Sequence, residues 1–210
     1  MTLTHRAAPG RTFRRLVLVA AAFAATSLFS ACGSTVASRP DYVSAGLAAP
    51  VVQGPAVIVM DDALQNQMIT AHPTSYTGSA TTITFPIGAI IRDVGQKVFG
   101  VGFSGGSTTA TEARLGAYGV KLLLNDFSFK YDQLSSLGFE IRPKVTIGLS
   151  VAAVGPDGAT LFTKRYEKVD YLVASYAFSS NPAEKINQAL HMALGEIFRE
   201  ILDDVVEAQN

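Results

Sequence analysis

Residues 140–166 read EIRPKVTIGLSVAAVGPDGATLFTKRY, and this stretch gives the clearest prediction of the fold. Its first half alternates apolar with small or polar residues, the period of a strand with one buried face. The apolar positions are Val145, Ile147, Leu149, Val151 and Ala153. Residues 155–158, GPDG, are a strong turn signal. Residues 160–166 are therefore predicted to return as an antiparallel strand.

A third strand is predicted before this hairpin, over residues 120–131, VKLLLNDFSFKY. Its core face is assigned the larger apolar side chains, Leu123, Phe127, Phe129 and Tyr131. Its other face is assigned the polar side chains, Asp126, Ser128 and Lys130. Residues 120–170 thus predict a three-stranded antiparallel meander with one dry and one wet face.

The end of the chain predicts a long helix. Asn181 is a favourable N-cap, Pro182 suits the first helical position, and Glu184 completes a capping box. Seven apolar residues form one stripe that would cover the dry face: Ile186, Leu190, Leu194, Ile197, Ile201, Leu202 and Val205.

Shorter strands are predicted at residues 56–60 and 81–85, and an internal helix at residues 89–99. The predicted fold class is α+β. Its antiparallel sheet consists of the three-stranded meander plus one or two N-terminal strands. The internal helix and the long C-terminal helix cover one face of this sheet.

The N-terminal stretch has the pattern of an export signal. The first 15 residues hold four arginines and no acid, and residues 16–25 are apolar but far shorter than the roughly 20 residues that span a bilayer. Cleavage is predicted between Ala31 and Cys32, which makes residues 1–31 the signal peptide. The alternative is an ordinary secretory signal with an incidental thiol, but Cys32 is the only cysteine.

Residues 29–32, FSAC, resemble the bacterial lipobox; Ser30 and Ala31 match it, and Phe29 stands where Leu is usual. The resemblance implies that the Cys32 thiol accepts a diacylglyceryl group and anchors the mature protein in a membrane. Each buried methylene of such a chain contributes about 0.8 kcal/mol. Gly33 implies sorting to the outer membrane, with the protein on its periplasmic side.

Composition predicts a flexible lipidated tether over residues 32–55, rich in Gly, Pro and small residues, and a single α+β domain over residues 56–210. The signal holds four of the 17 basic residues and none of the 17 acidic ones, so the mature chain has 13 basic and 17 acidic residues, a net charge of −4. This balance disfavours nucleic-acid binding. No second apolar run approaches the length of a transmembrane helix.

The sequence predicts no enzyme, no cofactor and no metal site. Residues 100–105 match GxGxxG, but a dinucleotide site needs a strand before the glycines and a helix starting within them. His191 is placed beside the apolar stripe, and Asp203 and Asp204 on a solvated face of the helix. No two histidines have the spacing of metal ligands.

Candidate partner contacts are loop glycines and recurring tyrosines. These are Gly102, Gly105, Gly106, Tyr171 and Tyr176. The alternative for the tyrosines is that they cap the sheet edge or pack under the final helix.

The order of signal, lipobox, tether, strand, helix, meander and terminal helix resembles small proteobacterial envelope lipoproteins. These include the YajG-like lipoproteins, the auxiliary lipoproteins of ABC-type transport systems and, more loosely, the lipopolysaccharide-assembly lipoprotein. The resemblance implies a non-enzymatic accessory subunit that docks on an envelope protein through a sheet edge or the residue 100–106 loop. The alternative is a module that binds a lipid or other apolar ligand between sheet and helix.

Overall fold

The computed structural model describes residues 33–76, 79–132, 142–173 and 181–209, which form two β-sheets and three α-helices. The strands are β1 (Gly33–Thr35), β2 (Ala56–Val59), β3 (Ile69–Ala71), β4 (Thr82–Phe85), β5 (Ser107–Ala110), β6 (Tyr118–Asp132), β7 (Arg142–Val154) and β8 (Thr160–Leu172). The helices are α1 (Asp62–Gln65), α2 (Ile87–Gly102) and α3 (Pro182–Glu207). The α+β class is confirmed.

The larger sheet has the strand order β5-β2-β6-β7-β8. Strands β6, β7 and β8 form the antiparallel meander that the sequence predicts. Strand β2 lies parallel to both β5 and β6, so the sheet is mixed rather than purely antiparallel. Ser107–Ala110, which follows the glycine-rich residues 100–106, pairs with β2 as an edge strand.

The alternation of buried and exposed side chains in strand β6 is reversed part-way along the strand. The pairing with β7 shifts register between Leu124 and Asp126, which places one extra residue, Asn125, in β6. Before the shift Leu122 is buried and Leu123 is 58% exposed, whereas after it Phe129 is buried. The core position predicted for Leu123 is therefore wrong, since the extra residue reverses the alternation.

Helix α3 begins as predicted, with the side chain of Asn181 accepting hydrogen bonds from the N–H groups of Ala183 and Glu184. Its apolar stripe is buried against the larger sheet. Helix α2 is longer than predicted and crosses α3 where Gly95 meets Phe198. A Cβ on Gly95 would lie 2.8 Å from Cζ of Phe198, so only glycine allows this approach.

The smaller sheet has the order β1-β4-β3, with β1 parallel and β3 antiparallel to β4. It includes residues that were expected to form a flexible tether. From Gly33 onward these residues pair or pack, and Val36, Val43 and Val52 are buried in the main core. The prediction of a tether over residues 32–55 is wrong for the described residues, because scattered apolar side chains fix the segment to the domain.

Candidate functional site

Two polar side chains of α3 hold the chain that follows Cys32 in sequence. Nδ2 of Asn187 donates to the carbonyl oxygen of Ala37 at 2.9 Å, and the backbone N–H of Arg39 donates to Nε2 of His191 at 2.8 Å. Asn187 and His191 lie one helical turn apart and are fully buried. We call these two side chains with Ala37 and Arg39 the clamp.

The clamp contains a neutral imidazole. Because Nε2 of His191 accepts from Arg39, its proton lies on Nδ1, which is 2.8 Å from the carbonyl oxygen of Asn187. Burial lowers the pKa of His191, and the backbone acceptor together with Asp41 and Asp93 opposes that shift only in part. The placement of His191 beside the apolar stripe is wrong, since its side chain lies within the packed face.

A second polar cluster joins the edge strand β8 to α3. Every member is a cation, a tyrosine or a carboxylate on the facing sides of these two elements. They are Lys164, Tyr166, Lys168 and Tyr171 on β8, and Glu196, Glu200 and Asp204 on α3. We call this cluster the ladder.

The ladder consists of short contacts at successive turns of α3. Nζ of Lys168 lies 2.6 Å from Oε1 of Glu200 and 3.1 Å from Oε2 of Glu196. Nζ of Lys164 lies 2.7 Å from Oδ2 of Asp204. The hydroxyl of Tyr166 also donates to that carboxylate. Asp204 therefore does not lie on a simple solvated face, contrary to the sequence prediction.

The ladder shifts the pKa values of its members. Partial burial raises the pKa of Glu196 and Asp204, but hydrogen bonds from lysine and tyrosine outweigh it, so both pKa values are lowered. Burial and the hydrogen bond to Glu196 raise the pKa of Tyr171 to about 12. Both carboxylates are held charged, as charge-assisted hydrogen bonds require.

Tyr171 thus has an internal partner, because its hydroxyl donates to Oε1 of Glu196 at 2.7 Å. Tyr166, the tyrosine five residues before Tyr171, is buried beneath α3, where the alternative interpretation placed the recurring tyrosines. Tyr176 lies outside the described residues. A partner would have to compete with the ladder for the Tyr171 hydroxyl.

The three candidate glycines have different surroundings. Gly102 ends α2 and is buried, and a Cβ there would collide with Cδ2 of Leu202. This packing excludes Gly102 from direct contact with a partner. Gly105 is exposed but lies against Pro55, whereas an added Cβ on Gly106, whose φ is +71°, would meet open space. A partner contact at Gly105 and Gly106 stays a prediction.

The smaller sheet has an uncharged outer face. Ile83 and Phe85 of β4 face the core, so Thr82 and Thr84 face outward. The hydroxyls of Thr84 and Thr70 are 2.9 Å apart across β4 and β3. The sequence has no Asp, Glu, Lys or Arg between Asp62 and Arg92, a gap that contains β3, β4 and their connection.

A shallow groove of about 300 Å³ lies on the face of the larger sheet opposite Ile58. Apolar or small residues of β2, β6 and β7 form its floor: Val59, Gly119, Ala152 and Val154. Residues 111–113 close one side. Across the described ranges, no group of three or more His, Cys, Asp or Glu side chains is arranged to hold a metal ion.

The fold resembles that of a solved protein. It is similar to the crystal structure of protein XCC0632 from Xanthomonas campestris, a DUF330 protein, with a TM-score of 0.52 and 14% identity. The match covers 84% of this chain and 95% of that chain. At this identity the likeness shows a shared fold alone.

No protein-family model matches the sequence, and no curated protein matches it significantly. Within the described part of the chain, none of the helices is long and apolar enough to cross a membrane.

Proposed function

We propose that this protein is a lipid-anchored outer-membrane lipoprotein on the periplasmic side, acting as a non-enzymatic accessory or assembly subunit of an envelope complex. The observation that carries the proposal is the lipobox-like sequence at residues 29–32. Its cysteine is bonded directly to Gly33, the first residue of a folded domain. Cleavage before Cys32 would therefore leave the described domain intact.

The clamp and the ladder support an accessory role. Their polar groups join elements of the fold to one another, through hydrogen bonds and ion pairs between β8 and α3 and between α3 and residues 37–39. A scaffold that presents surfaces to partners needs this rigidity. The apolar groove at Val59 and Val154 favours a second candidate, a module that binds a lipid or other apolar ligand, such as an auxiliary lipoprotein of a transport system.

The anchor is tested by metabolic labelling with an alkyne fatty acid, followed by membrane fractionation. We expect the wild type to be labelled and recovered in the outer membrane. Cys32→Ala should be unlabelled and remain soluble or uncleaved. As a control, Cys32→Ala combined with Ser34→Cys should not regain the label, because the thiol is displaced from the lipobox. A processed Cys32→Ala protein in the outer membrane would refute the proposal.

The partner is tested by affinity purification of the native lipidated protein from membranes, with co-purifying proteins and lipids both identified. A stoichiometric envelope protein supports the accessory role. Bound lipid that is lost in Ala152→Trp, which fills the groove, supports the alternative. Recovery of neither would count against both.

A further inference from the structure

We propose that the uncharged outer face of the smaller sheet, together with Tyr76, rests directly on the lipid headgroups of the membrane in which Cys32 is anchored. The inference rests on the proposed lipid anchor and adds to it a membrane-facing surface. It follows from the direct peptide link between Cys32 and Gly33 and from the uncharged side chains around Gly33.

No slack separates the acylated residue from the folded domain. The Cα atoms of Cys32 and Gly33 are one peptide unit, about 3.8 Å, apart. Gly33 is already paired with Thr82 in parallel register, and the N–H of Val36 donates to the carbonyl oxygen of Thr84 at 3.0 Å. The clamp then holds Ala37 and Arg39. Acyl chains on Cys32 therefore hold the β1 end of the domain at the bilayer surface.

The surface around Gly33 has the chemistry that such contact needs. Thr35, Thr70, Thr82 and Thr84 carry hydroxyls rather than charges. Bringing an unpaired charge into a poorly hydrated layer is costly, whereas hydroxyls can exchange water for lipid phosphate and ester oxygens. The charge-free stretch between Asp62 and Arg92 coincides with the strands nearest to the anchor.

Tyr76 supplies an aromatic side chain at the same end of the domain. It is 96% exposed. The loop that bears it starts at His72, whose Nδ1 lies 3.4 Å from the hydroxyl of Thr82, the register partner of Gly33. The loop is fixed to β6, because Thr74 N–H donates to the carbonyl oxygen of Phe129 at 2.8 Å. Tyrosine is enriched at membrane interfaces, where its ring is buried and its hydroxyl stays hydrated.

The sequence lacks tryptophan, so one substitution creates a single fluorescent reporter. Tyr76→Trp and, as control, Leu115→Trp are made in the full lipidated protein and reconstituted in phosphatidylethanolamine–phosphatidylglycerol vesicles that contain brominated lipid. Leu115 is 84% exposed and precedes β6. The length of β6 separates it from the Tyr76 loop by roughly 35 Å.

We expect the Tyr76→Trp emission to be blue-shifted and quenched at least about twofold more than that of Leu115→Trp. A 20-residue Gly/Ser insertion between Cys32 and Gly33 should remove most of this difference. Equal quenching of the two reporters would overturn the docking proposal. So would a difference in quenching that stays the same when Thr82 and Thr84 are both replaced by Glu. Flotation of the same vesicles reports the anchor separately: protein that floats without differential quenching refutes docking alone, and protein that does not float refutes the lipid anchor.

Discussion

The imidazole of His191 accepts a hydrogen bond from the backbone N–H of Arg39, a residue 152 positions earlier in the chain. The His191 side chain is fully buried, and the bond joins the C-terminal helix to the segment that follows the candidate lipid-attachment site. One helical turn away, Asn187 binds the carbonyl oxygen of Ala37. The C-terminal helix thus fixes residues 37–39 to the domain.

Replacing His191 with Ala should destabilise the domain by about 2–4 kcal/mol, because it leaves a cavity and an unpaired N–H on Arg39. Urea unfolding measures the change. His72→Ala is the matched control, since His72 is exposed and its loss should change the free energy of unfolding by less than about 0.5 kcal/mol. Equal effects of the two variants would show that the clamp contributes nothing specific.

Acidification should weaken the domain through His191. Its pKa in the folded protein is lowered from the ordinary value of 6.5, so the unfolded chain binds the proton more readily. The contribution of the neutral imidazole is fully present above pH 6.5 and is lost as pH falls through the lower, folded-state pKa. A protonated ring also cannot accept from Arg39.

The measurement is the melting temperature between about pH 7.5 and pH 5, a window that brackets the unfolded pKa of histidine. His191→Gln, which keeps polar atoms but does not titrate, should show a flatter profile than the wild type. Glu196 and Asp204, whose pKa values are also lowered, lose their contributions only at more acidic pH. Parallel profiles for the two proteins would rule out His191 as the source of the pH dependence.

Asp203 and Asp204 are neighbours with opposite surroundings, which makes them a matched pair. Asp204 accepts hydrogen bonds from Tyr166 and Lys164, whereas Asp203 is exposed. Asp204→Asn should destabilise the domain by about 1–2 kcal/mol, mainly by weakening the charge-assisted hydrogen bond from the hydroxyl of the buried Tyr166. Asp203→Asn should stay within about 0.5 kcal/mol of the wild type. Thermal unfolding of both variants checks this, and a reversed order would contradict the ladder.

Local signals made part of this fold predictable. The cap at Asn181 and the turn that ends at Gly158, whose φ is +82°, depend on residues that are neighbours in sequence. The strict alternation in β7 arises because one face of the strand is buried, and it can be read directly from the sequence. These patterns placed the meander and the long helix correctly, and together they account for most of the larger sheet.

The remainder depends on contacts that sequence spacing does not encode. Val36, Val43 and Val52 are buried singly, so no period distinguishes their segment from a tether. The register shift at Asn125 exchanges the buried and exposed positions of β6, and a simple alternating pattern cannot predict such a shift. His191 counts as polar on a helical wheel, although a backbone N–H makes its burial favourable.

The ladder could have been found in the sequence. Glu196, Glu200 and Asp204 recur every four residues on one flank of the helix, and Lys164 and Lys168 are spaced for one face of a strand. Acid and base stripes of matching length are typical of two elements that lie side by side. The contacts Lys164–Asp204 and Lys168–Glu200 confirm that they do.

Two glycines of α2 should respond in opposite directions to the same substitution. Gly95→Ala places a methyl group 2.8 Å from Cζ of Phe198 and 2.9 Å from Cδ1 of Ile58, both of which are fully buried, so one of them must shift. We expect it to destabilise the domain by about 1–3 kcal/mol, despite the better helix propensity of alanine.

Gly100→Ala is the control in the same helix, because Gly100 is exposed and the nearest atom to its Cβ, Oγ of Ser107, is 3.8 Å away. Here only propensity changes, so we expect stabilisation of up to about 1 kcal/mol. Denaturant unfolding of the two variants measures the difference. If Gly95→Ala were also stabilising, α2 and α3 would have to lie farther apart than the contact between Gly95 and Phe198 requires.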